Sequence, residues 1–120
     1  METHADKSTE TKLIIIPIEH AEKAIEQATV LLDIREPDEF EQGHIKGAIN
    51  IPRGMLEFKL GEVPELNSPE AKIIMYCKEG KRCVSAALTL IKMGYKHVYS
   101  LEGGLNAWLL AGNPLYQPSK

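Results

Sequence analysis

Short, nearly continuous apolar runs alternate along this chain with segments in which apolar residues recur every three or four positions. The runs cover residues 13–16, 30–34, 48–51, 73–76 and 97–100. Runs this short, rich in Val, Ile and Leu, read as strands covered on both faces. Between them the period lengthens. Ile18, Ala21, Ile25 and Ala28 share one face of a helix that follows Pro17, and residues 37–42 read as a short helix ended by Gly43. Val84, Ala87, Leu88 and Ile91 fall at i, i+3, i+4 and i+7, predicting an amphipathic helix that stops at Gly94. Residues 105–111 form the last predicted helix, opened by Gly103-Gly104 and closed near Gly112 and Pro114. Residues 57–70 contain Gly61, Pro64, Asn67 and Pro69, lack a clear period and read as a connection. The alternation predicts an α/β fold of three layers, with helices on both sides of a central, mostly parallel, five-stranded sheet.

Composition narrows the class. The chain has 120 residues, 43% hydrophobic and 26% charged, the profile of one soluble globular domain rather than a disordered segment. A net charge of −3 offers no basic field, which argues against nucleic acid as a partner. The run from Leu13 to Ile16 is far short of the roughly 20 apolar residues needed to cross a bilayer. The opening METHADKSTETK is polar and has no apolar signal region, so residues 1–12 are expected to be a flexible leader and 13–120 the domain. Two cysteines make neither a disulfide framework nor a zinc site, and no metal is expected. A cytoplasmic, reducing setting is the simplest reading.

The segment richest in chemistry is Tyr76-Cys77-Lys78-Glu79-Gly80-Lys81-Arg82-Cys83, between a buried strand and the amphipathic helix. Cys77 is thereby expected at the carboxyl end of a parallel strand, where open α/β sheets bind their ligands. The next helix turns its amides and positive dipole end toward the loop, and successive N–H groups from Lys78 to Arg82 can curl into an anion-binding nest. Gly80 permits such a curl. Helix N-termini and nearby cations lower a cysteine pKa from ~8.5 by one to several units. Lys78, Lys81 and Arg82 outnumber Glu79 here, so Cys77 is the candidate nucleophile. The competing reading is a small buried hydrophobe.

Three blocks, LLDIREPDEFEQGHIKGAINIP, YCKEGKRC and VYSLEGGLNAW, occur in that order, and with them the chain resembles the rhodanese family from about Leu13 to Gly112. The resemblance implies a sulfurtransferase of the thiosulfate sulfurtransferase type. Cys77 would take a sulfane sulfur from a small anionic donor such as thiosulfate, or from a persulfide, and pass it to cyanide, a thiol or another protein. Lys78, Glu79, Gly80, Lys81, Arg82 and Cys83 would line the persulfide site, with Arg82 holding the anionic donor, and no cofactor is implied. Only four residues separate Cys77 from Arg82, whereas phosphatase loops resemble Cys-x5-Arg. The shorter loop disfavours a phosphatase or arsenate reductase. A non-catalytic binding module remains the alternative from another class.

Cys83 stands where family loops commonly carry Ser or Thr. It is either a tolerated small residue of the first helical turn or a resolving thiol that converts the Cys77 persulfide into a disulfide. By the family pattern Asp33 and Arg35 lie near the site mouth. In a functional reading Asp33 would bond loop amides and Arg35 would pair with Glu36, Asp38 or Glu39, or face the substrate. Plain turn and helix-start chemistry is the simpler and favoured account of both. His44 is expected to shape its connection rather than act as a base. Trp108, Leu105 and Leu109 are read as the packing face of the last helix, and Gly103-Gly104 as a tight turn.

Overall fold

The apolar runs pair into one sheet. The computed structural model describes residues 12–80 and 82–118, so the expected leader, Lys12 apart, lies outside the described residues. Strands β1 (Ile14–Ile16), β2 (Val30–Asp33), β3 (Ile49–Asn50), β4 (Lys72–Tyr76) and β5 (His97–Leu101) stand in the order β1-β5-β4-β2-β3. All four adjacent pairs are parallel. This is the expected α/β architecture, with strand ends within two residues of expectation.

Because side chains alternate across a strand, β4 feeds two cores. Ile73 and Met75, with Cys77 beyond them, join Leu32, Leu56, Leu60, Ala86 and Leu90 on one face. Ile74 and Tyr76 join Leu31, Ile45, Leu105 and Trp108 on the other. Helices α1 (Ala21–Gln27) and α5 (Gly104–Leu110) thus cover one face, and α3 (Leu56–Lys59) with α4 (Cys83–Lys92) the other. The short α2 (Pro37–Gln42) begins with proline at its first turn and a reciprocal capping box between Glu36 and Glu39, which satisfies amides the helix leaves free.

Three expectations need correction. The buried face of α4 is Cys83, Ala86, Ala87 and Leu90, whereas Val84 and Leu88 are exposed. The segment CVSAALTLI is so evenly apolar that two stripes, one residue apart, fit the helical period, and only the sheet selects between them. Residues 57–70 do connect β3 to β4, but with more regular structure than their glycine and prolines suggest. They hold the rest of α3 and the 3-10 turns Leu60–Glu62 and Pro64–Leu66, and they bury Leu60, Val63 and Leu66. Those residues, with Leu56, recur at helical spacing, a signal masked by Gly61 and Pro64. The strands are also not all covered twice, because β1 at the sheet edge exposes Ile14 and Ile15.

Candidate active site

The chain leaves the neighbouring strands β2 and β4 in opposite directions, β2 toward β3 and β4 toward β5. Open α/β sheets bind ligands outside the carboxyl ends of strands at such a reversal. Parallel register pairs Asp33 with Tyr76, and the Ile34 N–H donates to the Tyr76 carbonyl at 3.1 Å. Cys77 therefore emerges beside residues 34 and 35, at the reversal.

The loop folds back over its own sulfur. Cys77 is 1% exposed, and the Gly80 N–H donates to its Sγ at 3.0 Å. Gly80 has φ +93°, in the region that favours glycine, so the turn that aims this amide needs a residue without Cβ. Cys83, fully buried at the first position of α4, donates its thiol hydrogen to Cys77 Sγ at 3.9 Å. That contact is the largest influence on the Cys77 thiol. Burial opposes it, and the Arg82, Gly80 and Glu79 amides add to it, leaving the pKa at about 5. Cys77 is thus a thiolate at neutral pH. The contact with Cys77, with burial, drives the Cys83 thiol up, so Cys83 keeps its proton. Both cysteines are free thiols.

A second element clamps the base of the loop. The Leu105 N–H donates to the Cys77 carbonyl at 2.8 Å, and the Asn106 N–H to the Lys78 carbonyl at 3.0 Å. These are amides of the first turn of α5, which have no partner within their own helix. Their approach depends on Gly104, at φ +61°, where a Cβ would collide with the Cys77 carbonyl oxygen and stand 2.8 Å from the Lys78 carbonyl carbon. Gly103-Gly104 is thus a tight turn, as expected, but its work for the cysteine loop was missed.

Asp33 and Arg35 bond chiefly to each other, in the local turn chemistry that is the simpler reading of the sequence. The fully buried Asp33 carboxylate accepts from the Arg35 backbone N–H at 2.9 Å and from Arg35 Nη2 at 2.7 Å, and no amide of the Cys77 loop among the described residues donates to it. Arg35 Nη2 also donates to the Gly43 carbonyl at 2.6 Å, and its guanidinium carbon lies 5.9 Å from the centre of the Tyr76 ring. A buried carboxylate demands a fixed cation, and the adjacent-but-one arginine meets that demand better than the solvated acids of α2. Glu39 pairs instead with Arg82, at 3.6 Å. Burial works against ionised Glu39, but the Glu36 amide and the Arg82 and Arg35 cations hold its carboxyl below the usual range.

Lys78 and Glu79 point to solvent, Gly80 and Arg82 are half-buried, and Lys81 lies outside the described residues. A cleft of about 280 Å³ opens beside the loop, lined by Arg35, Glu39, Gln42, Lys78, Asn106 and Leu109 among others. Sequence reading also missed Asn50, whose Nδ2 donates to the Asp33 and Arg35 carbonyls at 2.9 Å each. His44 stacks on Phe40 with ring centroids 3.7 Å apart, shaping its connection. Among the described residues no group of three or more His, Cys, Asp or Glu side chains could hold a metal ion, and no helix is long and apolar enough to cross a membrane.

A buried thiolate at the reversal of a parallel sheet, wrapped by the amides that lead into a helix, defines a class of α/β proteins with a cysteine-headed anion loop. Within that class, the chain belongs to the rhodanese family. The family described as Rhodanese-like domain matches residues 18–111. Over 89 residues the chain is 34% identical to a sulfurtransferase of Allochromatium vinosum, covering 74% of this chain and 79% of the relative. It is 34% identical over 93 residues to the thiosulfate sulfurtransferase GlpE of Pseudomonas fluorescens, covering 78% and 82%. The crystal structure of a rhodanese-related protein from Thermoplasma volcanium superposes with a TM-score of 0.73 at 30% identity, covering 87% of this chain and 98% of that one.

Proposed function

We propose that the protein is a sulfurtransferase that carries a sulfane sulfur as a persulfide on Cys77. The donor is thiosulfate or a persulfide, and the acceptor is cyanide, a thiol or a protein. The observation that carries this reading is the depressed Cys77 thiol, buried at the sheet reversal with the Gly80 amide 3.0 Å from its sulfur. A thiolate attacks the outer sulfur of thiosulfate, sulfite leaves with the electron pair of the sulfur–sulfur bond, and the acceptor later takes the sulfur from Cys77. Gly80, Glu79 and Arg82 supply amides to the negative charge on the outer sulfur, Lys78 and Lys81 add cationic charge, and Arg82 holds the donor anion. Cys83 supplies a further hydrogen bond to the reacting sulfur. Asp33 and Arg35 position the carboxyl end of β2 beneath the loop. A reducing, cytoplasmic setting suits the two free thiols.

The test is the intact mass of the protein after thiosulfate treatment. One added sulfur, about 32 Da, lost on adding cyanide and absent from Cys77→Ser, is the expected covalent intermediate of this nucleophilic step. No gain with thiosulfate or with a low-molecular-weight persulfide overturns the reading.

A further inference from the structure

Cys83 does more than fill the first turn of α4. Its sulfur touches that of Cys77 at 3.9 Å, and both residues are buried. A disulfide needs its sulfurs at ~2.05 Å, so the bond requires the two to approach by under about 2 Å. A hydroxyl at residue 83 would donate the same hydrogen bond but could form no such bond.

We propose that the Cys77–Cys83 pair gives the protein a second activity, the release of sulfide from its own persulfide. This rests on the persulfide reading above. In the loaded state the negative charge sits on the outer sulfur, one bond beyond Cys77 Sγ. The sulfur of Cys83 then attacks Cys77 Sγ and supplies the electron pair of a new Cys77–Cys83 disulfide. The Sγ–outer sulfur bond breaks, and its pair leaves with the outer sulfur, which takes the Cys83 proton and departs as hydrosulfide. One negative charge and one hydrogen stand on each side of this step. The outer sulfur is reduced, and the two cysteine sulfurs together are oxidised. Amides that face the outer sulfur stabilise the anion as it leaves, and an easier leaving group speeds thiol–disulfide exchange. A small dithiol then reduces the disulfide and returns both thiols, so that sulfane sulfur and dithiol are converted to sulfide over repeated cycles.

The resting pair is arranged for this order of events. While Cys77 is a thiolate, Cys83 is held protonated as its hydrogen-bond donor. Moving the charge to the outer sulfur weakens that restraint, so Cys83 becomes competent only once sulfur has been loaded.

The experiment loads the full chain with thiosulfate, removes the donor by gel filtration, and follows free sulfide and intact mass with no added thiol. Loaded wild-type protein is expected to release one sulfide per loaded chain, passing from a gain of about 32 Da to a loss of about 2 Da, with a Cys77–Cys83 disulfide in the peptide map. Cys83→Ser and Cys83→Ala are expected to hold their added sulfur at least tenfold longer, counted per loaded chain, and to release it only when dithiothreitol is added. A wild-type persulfide as durable as that of the variants overturns the inference and leaves the sulfurtransferase reading intact. Failure of all three proteins to gain sulfur from thiosulfate and from a low-molecular-weight persulfide removes both. The wild-type mass and peptide map stand even if a variant fails to fold.

Discussion

Leu105 and Cys77 share a backbone hydrogen bond of 2.8 Å, so the helix that follows the last strand holds the residue that follows the central one. The bond exists because Gly104 lets two backbones approach at a left-handed φ. Gly104→Ala is expected to destabilise the protein by at least ~1–2 kcal/mol from its backbone conformation alone. Displacement of the loop should also slow Cys77 alkylation by about tenfold, since small misplacements of a reacting group are costly. Urea unfolding and iodoacetamide kinetics check both. Unchanged kinetics would show that the clamp does not position the sulfur.

Alkylation against pH reads the thiolate itself. In the native protein the rate should have its midpoint at about pH 5. Cys83→Ala removes the largest influence on Cys77, so its midpoint should rise toward the ordinary ~8.5. A midpoint unmoved by that substitution would assign the depression to the loop amides alone.

The same thiolate makes stability depend on pH. Below pH 5 the Cys77 thiol is protonated in both folded and unfolded chains and contributes nothing. Between there and the unfolded value of ~8.5 the unfolded chain binds the extra proton, so stability rises with pH. Cys83 stays protonated in the folded protein over that window. The unfolding free energy of wild type minus that of Cys77→Ser should therefore grow steadily from pH 5 to pH 8. It should be lost again as pH falls toward 5. Denaturant titrations at four pH values measure it, and a flat difference would contradict the depressed thiol.

Arg35→Leu strands the Asp33 carboxylate in the interior, and removing one member of a buried pair costs about 3–5 kcal/mol. Asp33→Asn in the same chain should restore part of that loss, because the unpaired charge is gone. Chemical denaturation of the two variants decides it. A loss below about 1 kcal/mol for Arg35→Leu would place the pair among weak surface bridges.

Glu39 pairs with Arg82 at 3.6 Å and would compete for it with the proposed anionic donor. Because the pair is half-exposed, its release is worth no more than ~1 kcal/mol. Glu39→Gln should accordingly lower the KM for thiosulfate by up to about fivefold, and Arg82→Ala should raise it. Steady-state kinetics with cyanide as acceptor test the pair. A KM unmoved by either substitution would take Arg82 out of donor binding.

The sequence disclosed what local pattern controls and concealed what packing decides. Val30–Asp33 and Lys72–Tyr76 were legible because buried parallel strands must be continuously apolar. The position of Cys77 at the carboxyl end of a buried strand was legible because an apolar run precedes it and a glycine-containing loop leads from it into a helix. The buried stripe of α4 was not, since Val84 and Cys83 are equally apolar starting points and only contact with the sheet distinguishes them. Nor was the salt-bridge arrangement. Glu36, Asp38 and Glu39 all lie within reach of Arg35 in sequence, but the need to neutralise fully buried Asp33 outranks proximity. The bond from Leu105 to Cys77 spans 28 residues and leaves no mark beyond two adjacent glycines, which local reading can identify as a turn but not as a docking point.

Placing Cys77 after the middle strand has a consequence for how the protein breathes. Proteins open in cooperative pieces, with peripheral elements fraying at far lower free energy than strands bonded on both sides. Here β1 and β3 form the borders, and β4 is paired along both edges. Transient detachment of a border strand leaves the environment of the sulfur intact. Amides of β4 should therefore exchange with solvent only when the whole molecule unfolds, so the strand that carries Cys77 is expected to be the last of the sheet to open.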